Sequence, residues 1–425
     1  MSLKISYKIS LIASALLLVC TFCAASAAAD QTTGPAYEWE KHIATYGNGS
    51  DAVSIAVASV WQMPDGTFIA GGKTDYGRAV FGMDSVGNIQ WVRNVSGGDV
   101  NGTVRFLQSC PDGGVYLFTD GENLIKLSTS SADAKELWQY HLPLGVISSI
   151  EVLPHGDILM GGDHLQSFLI KLDTDGNELW NRSLGNPAGG GQFRIRSVQT
   201  GNDDKYIVAG YVDPIYYDSP YRAFAMEINE TGGDVWNQQY KTDNVSILFT
   251  AIAPIDNGRY AAGAIESQLV PSLDNGGEAE YVPYVVILDK DGKAVSKKAV
   301  DGVDLIYNIQ KAADGGLYIF GSKDTKPGVT EHIIVKTDSE GYTDWSKNMG
   351  DLTVKSIQGT PDNGLLILGT DEKTGESVII KTEPANPVKP RQSAAKQSPG
   401  FGPTAVFAAL SVIGGVLAVS GRRKE

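Results

Sequence analysis

Apolar residues in this chain gather in short runs, such as Phe68-Ile69-Ala70-Gly71-Gly72, Phe168-Leu169-Ile170-Lys171-Leu172 and Tyr206-Ile207-Val208-Ala209-Gly210. Runs too short for a helix, bounded by turn residues and rich in β-branched and aromatic side chains, predict buried strands. One kind of turn recurs between them: Pro64-Asp65-Gly66, Pro111-Asp112-Gly113, Pro154-His155-Gly156, Asn202-Asp203-Asp204, Asp256-Asn257-Gly258, Asp314-Gly315-Gly316 and Pro361-Asp362-Asn363-Gly364. A β-type run leads into each turn and a second strand, often ending in glycine, leaves it. A third strand then turns through Asp, Gly and Asn into a fourth that bears a tryptophan. Gly, Asn and Asp supply the positive φ of tight hairpins, and glycine at a strand end lets a neighbouring layer approach closely.

The tryptophans Trp39, Trp91, Trp138, Trp180, Trp236 and Trp345 recur at intervals of roughly 50 residues, with one double interval before the last. That gap is filled by Leu288-Asp289-Lys290-Asp291-Gly292-Lys293-Ala294-Val295-Ser296, which aligns with Leu172 to Trp180 and carries serine where the tryptophan would stand. Trp61, just before a turn, stands outside the series. Four short strands per repeat make a propeller blade. Seven such units are present, but the seventh ends after its third strand, Val378-Ile379-Ile380-Lys381. Its missing partner lies at the other end of the chain as Tyr37-Glu38-Trp39-Glu40-Lys41. Pairing the two closes the ring and removes exposed sheet edges. The expected fold is all-β, a seven-bladed β-propeller over residues 30–383 closed by an N-terminal strand; an eight-bladed ring and an open solenoid are the alternatives. The tryptophans are expected to pack as anchors between blades.

These repeats resemble the Trp-bearing blades of PQQ-type and BamB-like propellers, and surface propellers with a D-G-G-Y-x-x-x-G pattern. Quinoprotein dehydrogenases of that kind carry further cofactor and calcium ligands, for which no matching set stands in this sequence, so no cofactor is expected.

Both termini carry address signals. Residues 1–29 place Lys4 and Lys8 before an apolar run, followed by A-x-A at Ala25-Ser26-Ala27 and Ala27-Ala28-Ala29, the three regions of a secretory signal peptide. At the other end, residues 384–398 form a proline-punctuated polar stalk. Residues 399–425 comprise Pro399-Gly400-Phe401, an uncharged run from Pro403 to Ser420, and Arg422-Arg423-Lys424, which fits one transmembrane helix with its basic end inside. Pro399, Gly400 and Phe401 followed by a hydrophobic helix and a basic cluster resemble the PGF-CTERM sorting signal of archaeal surface proteins. That resemblance implies an archaeosortase-like processing enzyme as a partner, lipid attachment, and location on the outer face of the cell membrane.

Composition adds a few constraints. The chain carries a formal net charge of −14, and both terminal segments are basic, so the part between them is more acidic still. Nucleic acid is therefore a poor partner, because phosphate binding needs a basic footprint. Cys20 and Cys23 fall in the signal, which leaves Cys110 as a lone, buried free thiol and no intrachain disulfide. Glycosylation sequons stand at Asn48, Asn94, Asn101, Asn181, Asn229 and Asn244.

Catalytic patterns are scarce. His42, His141, His155, His164 and His332 show no metal-binding spacing, and there is no G-x-S-x-G elbow, Walker loop or dinucleotide fingerprint. Asp173-x-Asp175-Gly176-Asn177 and Asp289-x-Asp291-Gly292 read as hairpin turns, with a calcium loop as the second reading, although neither has the bidentate Glu. The binding candidate is where insertion breaks the repeat, in the loops between second and third strands of blades four and five. These hold Tyr216, Tyr217, Asp218 and Tyr221, then Ser267 through Tyr284 with Glu280, Tyr281 and Tyr284. Aromatic faces beside carboxylates suit an envelope glycan or a protein hot spot. The expected function is that of a surface-anchored binding, adhesion or envelope module. The alternative is an extracellular hydrolase or quinoprotein-type oxidoreductase, with carboxylates or histidines converging on the central channel.

Overall fold

The computed structural model describes residues 34–47, 52–95, 102–119, 123–129, 134–142, 145–216, 219–242, 244–268, 281–326 and 329–385. The signal peptide, most of the stalk, the sorting motif and the expected transmembrane helix lie outside these. The described chain forms seven antiparallel sheets, one per blade. The inner strands are Val53–Gln62, Val104–Ser109, Val146–Val152, Gln192–Thr200, Val245–Pro254, Leu305–Lys311 and Leu352–Gly359. Ring closure follows the expected route: Tyr37–Ile43 pairs antiparallel with Ser377–Thr382 as the outer strand of blade seven, with Glu40 opposite Ile380. One addition was not foreseen. After Ile43 the chain reverses at once, and Thr45–Tyr46 pairs with Val53 and Ser54 to give blade one a fifth strand.

Seven apolar clusters hold the ring, each built mainly where two neighbouring blades face one another; one joins Ile207 and Ala209 of blade four to Phe249, Ile252 and Tyr260 of blade five. The tryptophans do pack between blades. Trp138 lies on Gly176 of the next blade and Trp236 on Gly292, where an added Cβ would sit 2.8 and 2.5 Å from the indole. The Trp138 indole N–H also donates to the Thr174 carbonyl, and that of Trp180 to the Glu230 carbonyl. At Gly161 a Cβ would meet Val198 of the next inner strand at 2.6 Å, so the glycine admits the neighbouring blade.

A buried lysine on the third strand repeats as well. Lys126, Lys171, Lys336 and Lys381 pair with the turn aspartates Asp112, Asp157, Asp314 and Asp362 of their own blades. Blade four exchanges the charges: Glu227 occupies the lysine position and Lys205 lies 3.5 Å away in the turn. Cys110 is a buried free thiol whose pKa burial pushes up to about 12.

Candidate functional site

The propeller offers two places for function, the loop rim of one face and the central channel. Loops between second and third strands share a face, because alternate hairpins of an antiparallel blade reverse on opposite sides. Among the described residues, four of the five most exposed large hydrophobic side chains sit on this face at adjacent blades: Leu165 (77 %), Val146 (70 %), Tyr216 (70 %) and Ile215 (68 %). Gln192, at the start of the blade-four inner strand, ties them together. Its amide donates to the Leu165 carbonyl, and it pairs with Asp213, where the loop bearing Ile215 and Tyr216 begins.

The expected tyrosines divide. Tyr216 and Tyr281 are exposed. Tyr221 is half-buried with its ring edge on Tyr211 at 5.5 Å, and Tyr211 lies under Arg196, whose guanidinium donates to its hydroxyl at 2.9 Å. Tyr284 is half-buried beneath the Lys297 ammonium, 3.8 Å from the ring centroid. Tyr217, Asp218 and Glu280 lie outside the described residues, as do Asn48 and Asn101. Asn94, Asn181, Asn229 and Asn244 are on the surface. Sequence reasoning passed over Leu165, Val146 and Ile215 because it weighed inserted aromatics; an apolar residue inside a turn was the available signal.

The channel is lined through a repeated irregularity. Every inner strand carries a β-bulge at one level, which inserts Ala58, Arg105, Ser148, Arg196, Thr250, Tyr307 and Lys355. An inner strand has a blade against each face, so a side chain exposed mid-strand meets the channel. Arg105, Arg196 and Lys355 thus give an acidic protein a cationic belt at the axis. Partial desolvation lowers the Lys355 pKa, and its ammonium donates to the Val57 carbonyl at 3.3 Å. The Ser148 and Thr250 hydroxyls donate to the Gly161 and Gly263 carbonyls.

Three residues beyond the bulge, a polar side chain of blade three and another of blade six reach the next inner strand. The Gln310 amide donates to Ile357 O and accepts from Gly359 N, both at 2.9 Å. Glu151 accepts from the Thr200 backbone N–H and hydroxyl, at 3.2 and 2.9 Å. Burial raises the Glu151 pKa to about 7, outweighing those hydrogen bonds. An acid whose pKa is higher folded than unfolded favours folding below its unfolded value, and loses that contribution as pH rises through the folded one. Between the ordinary carboxylate range and about pH 7, Glu151 therefore makes stability fall with rising pH. Glu151→Gln, which installs the residue that blades two, four, six and seven use here, should raise the melting temperature at pH 8 more than at pH 5. An equal shift at both pH values would refute this.

The histidines are dispersed. His42 bonds Glu40, His141 bonds Asn123, and His332 stacks on Phe320 with its pKa lowered by burial. Among the described residues no group of three His, Cys, Asp or Glu side chains could hold a metal ion. Asp173 Oδ1 accepts from Asp175 N and Asn177 N, and Asp289 Oδ1 from Asp291 N and Lys293 N, the bonding of hairpin turns.

No family model matches the chain, and no curated protein matches it either. Solved structures with a similar fold include the Dos1 propeller, at 12 % identity and a TM-score of 0.51, covering 83 % of this chain and 97 % of that one. Streptogramin B lyase is 13 % identical with a TM-score of 0.47, covering 81 % and 98 %. The WD40 domain of Neurospora crassa Pan2 is 11 % identical with a TM-score of 0.49, covering 78 % and 90 %. The chain is a seven-bladed β-propeller. At these identities the likeness is one of fold.

Proposed function

We propose that this protein is an exported binding module, held at the outer face of the cell membrane by its C-terminal segment, that docks a surface protein through the rim of blades three and four. The observation that carries the docking is the convergence of Val146, Leu165, Ile215 and Tyr216 on one rim, each about 70 % exposed or more. Side chains of this size left in water at adjacent loops mark an interaction site. An aliphatic cluster with one tyrosine suits a protein hot spot better than a glycan, which would need more hydroxyl partners. The signal peptide, stalk and PGF-type tail support the address. The channel supplies no nucleophile paired with a base among the described residues, so the binding reading is preferred to the enzymatic one.

The test is photo-crosslinking on intact cells, with the crosslinking residue at position 216 or, as the opposite-face control, at 175. One discrete protein adduct is expected from 216, reachable by a membrane-impermeant biotin reagent and absent from 175. Leu165→Ser with Ile215→Ser should abolish the adduct while changing stability by less than about 0.5 kcal/mol, as surface substitutions do. Equal adducts from both faces, or an adduct the impermeant reagent cannot reach, would overturn the reading.

A further inference from the structure

The seven inner strands reverse the charge balance of the chain. They carry Arg105, Arg194, Arg196, Lys311 and Lys355 against one carboxylate, Glu151, in a protein with 49 acidic and 35 basic residues. Glu151 accepts from Thr200 of the next inner strand, and with its pKa raised to about 7 it offsets only part of one charge near neutral pH. Arg194 and Lys311 are paired with Asp213 and Asp256, at 3.3 and 2.9 Å. The other three cations, Arg105, Arg196 and Lys355, stand at the bulges, at one level of the channel, and all three are exposed. They belong to blades two, four and seven, which spaces them about as evenly as a ring of seven allows. The remaining bulge residues, Ala58, Ser148, Thr250 and Tyr307, include no carboxylate.

Two of these charges keep their full sign where they stand. Arg196 engages one N–H of its fork with the neutral Tyr211 hydroxyl, over whose ring it lies. Lys355 donates to the Val57 carbonyl, and desolvation alone shifts its pKa, with no carboxylate near enough to raise it again. Like charges held around one axis by low-dielectric walls repel one another and focus a positive potential between them. We infer that the channel, at the level of the bulges, binds a small oxyanion carrying two or more negative charges, a phosphate ester or a polycarboxylate. Both have the oxygen pairs that a guanidinium fork matches, and both present more than one anionic group to cations that reach in from different blades. A cation has the wrong sign for this belt, a neutral ligand gains nothing from its charges, and a long polyanion is repelled by the acidic exterior. The site lies inside the ring and stands whether or not the rim of blades three and four docks a protein.

Isothermal titration calorimetry on the full chain tests it, with pyrophosphate and citrate as probes and acetate and glucose as controls. At least one of the two probes is expected to bind, to raise the melting temperature and to bind more weakly as salt is added. Binding of pyrophosphate alone assigns the site to phosphates, and of citrate alone to polycarboxylates. Arg196→Gln and Lys355→Gln should each weaken the binding roughly tenfold, the loss of one charge-assisted hydrogen bond. Lys355→Arg, which keeps the charge, should keep most of the affinity, and Lys290→Gln, which removes an exposed charge from a blade-five hairpin, should leave it unchanged. Because Arg196 and Lys355 are exposed, their variants should melt within a few degrees of the parent in the absence of anion, which separates lost binding from lost folding. The inference is overturned if neither probe binds, if acetate binds as tightly, if both channel variants keep the parent affinity, or if Lys290→Gln weakens binding as much as they do.

Discussion

Asp314→Ala is expected to destabilise the propeller by about 3 kcal/mol or more, the cost of leaving a buried charge without its partner. Lys336 is 1 % exposed and its ammonium lies 2.9 Å from the Asp314 carboxylate, itself 13 % exposed. The other carboxylate in reach, Asp344, is 3.9 Å away, and the remaining hydrogen bond goes to the Thr337 carbonyl. Asp314 also accepts from Gly316 N, so its loss loosens the turn that starts the second strand. Adding Lys336→Met should recover most of the loss, because an apolar side chain of similar length needs no partner there. Chemical denaturation of the two variants and the parent decides the point. A loss below about 1 kcal/mol for Asp314→Ala would mean that water or Asp344 compensates the ammonium, contrary to its burial.

Deletion of residues 34–43 should have the larger consequence, a change of assembly. Without Tyr37–Ile43, the third strand of blade seven, Ser377–Thr382, becomes an open edge whose every residue is buried in the intact ring. Trp39 would be lost from Phe68, which it meets edge-on at 5.1 Å, and Lys381 would lose Glu38. An unpaired, flat apolar edge templates association. The truncated chain should elute as oligomers or aggregate, and a synthetic peptide spanning 34–44 should restore a monomer when added during refolding. A truncated chain that stays monomeric with unchanged stability would show that closure contributes little.

Much of the architecture was legible because each blade restates the same local instructions. The Asp-Gly turns, the glycine at the end of the second strand and the fourth-strand tryptophan fix strand number and period without reference to distant residues. Blade five shows the strength of that reading: Ser296 lacks the tryptophan, yet Ala294–Ala299 takes its place as the outer strand. The site was less legible. Tyr216, Tyr221, Tyr281 and Tyr284 look alike as loop-flanking tyrosines, but Tyr221 and Tyr284 are drawn into contacts with Tyr211 and Lys297 while Tyr216 and Tyr281 stay exposed.

The sequence by itself determined the blade count, the closing strand and the anchoring role of the tryptophans, since all follow from periodicity and local turn chemistry. The tertiary structure alone decided that Leu165 shares a rim with Ile215 and Tyr216, that seven bulges line one channel, and that Lys355 reaches the Val57 carbonyl across the closed ring. Those neighbours come from different blades, in the last case nearly 300 residues apart. Side chains brought together by ring closure leave no mark in the local pattern on either side of the gap.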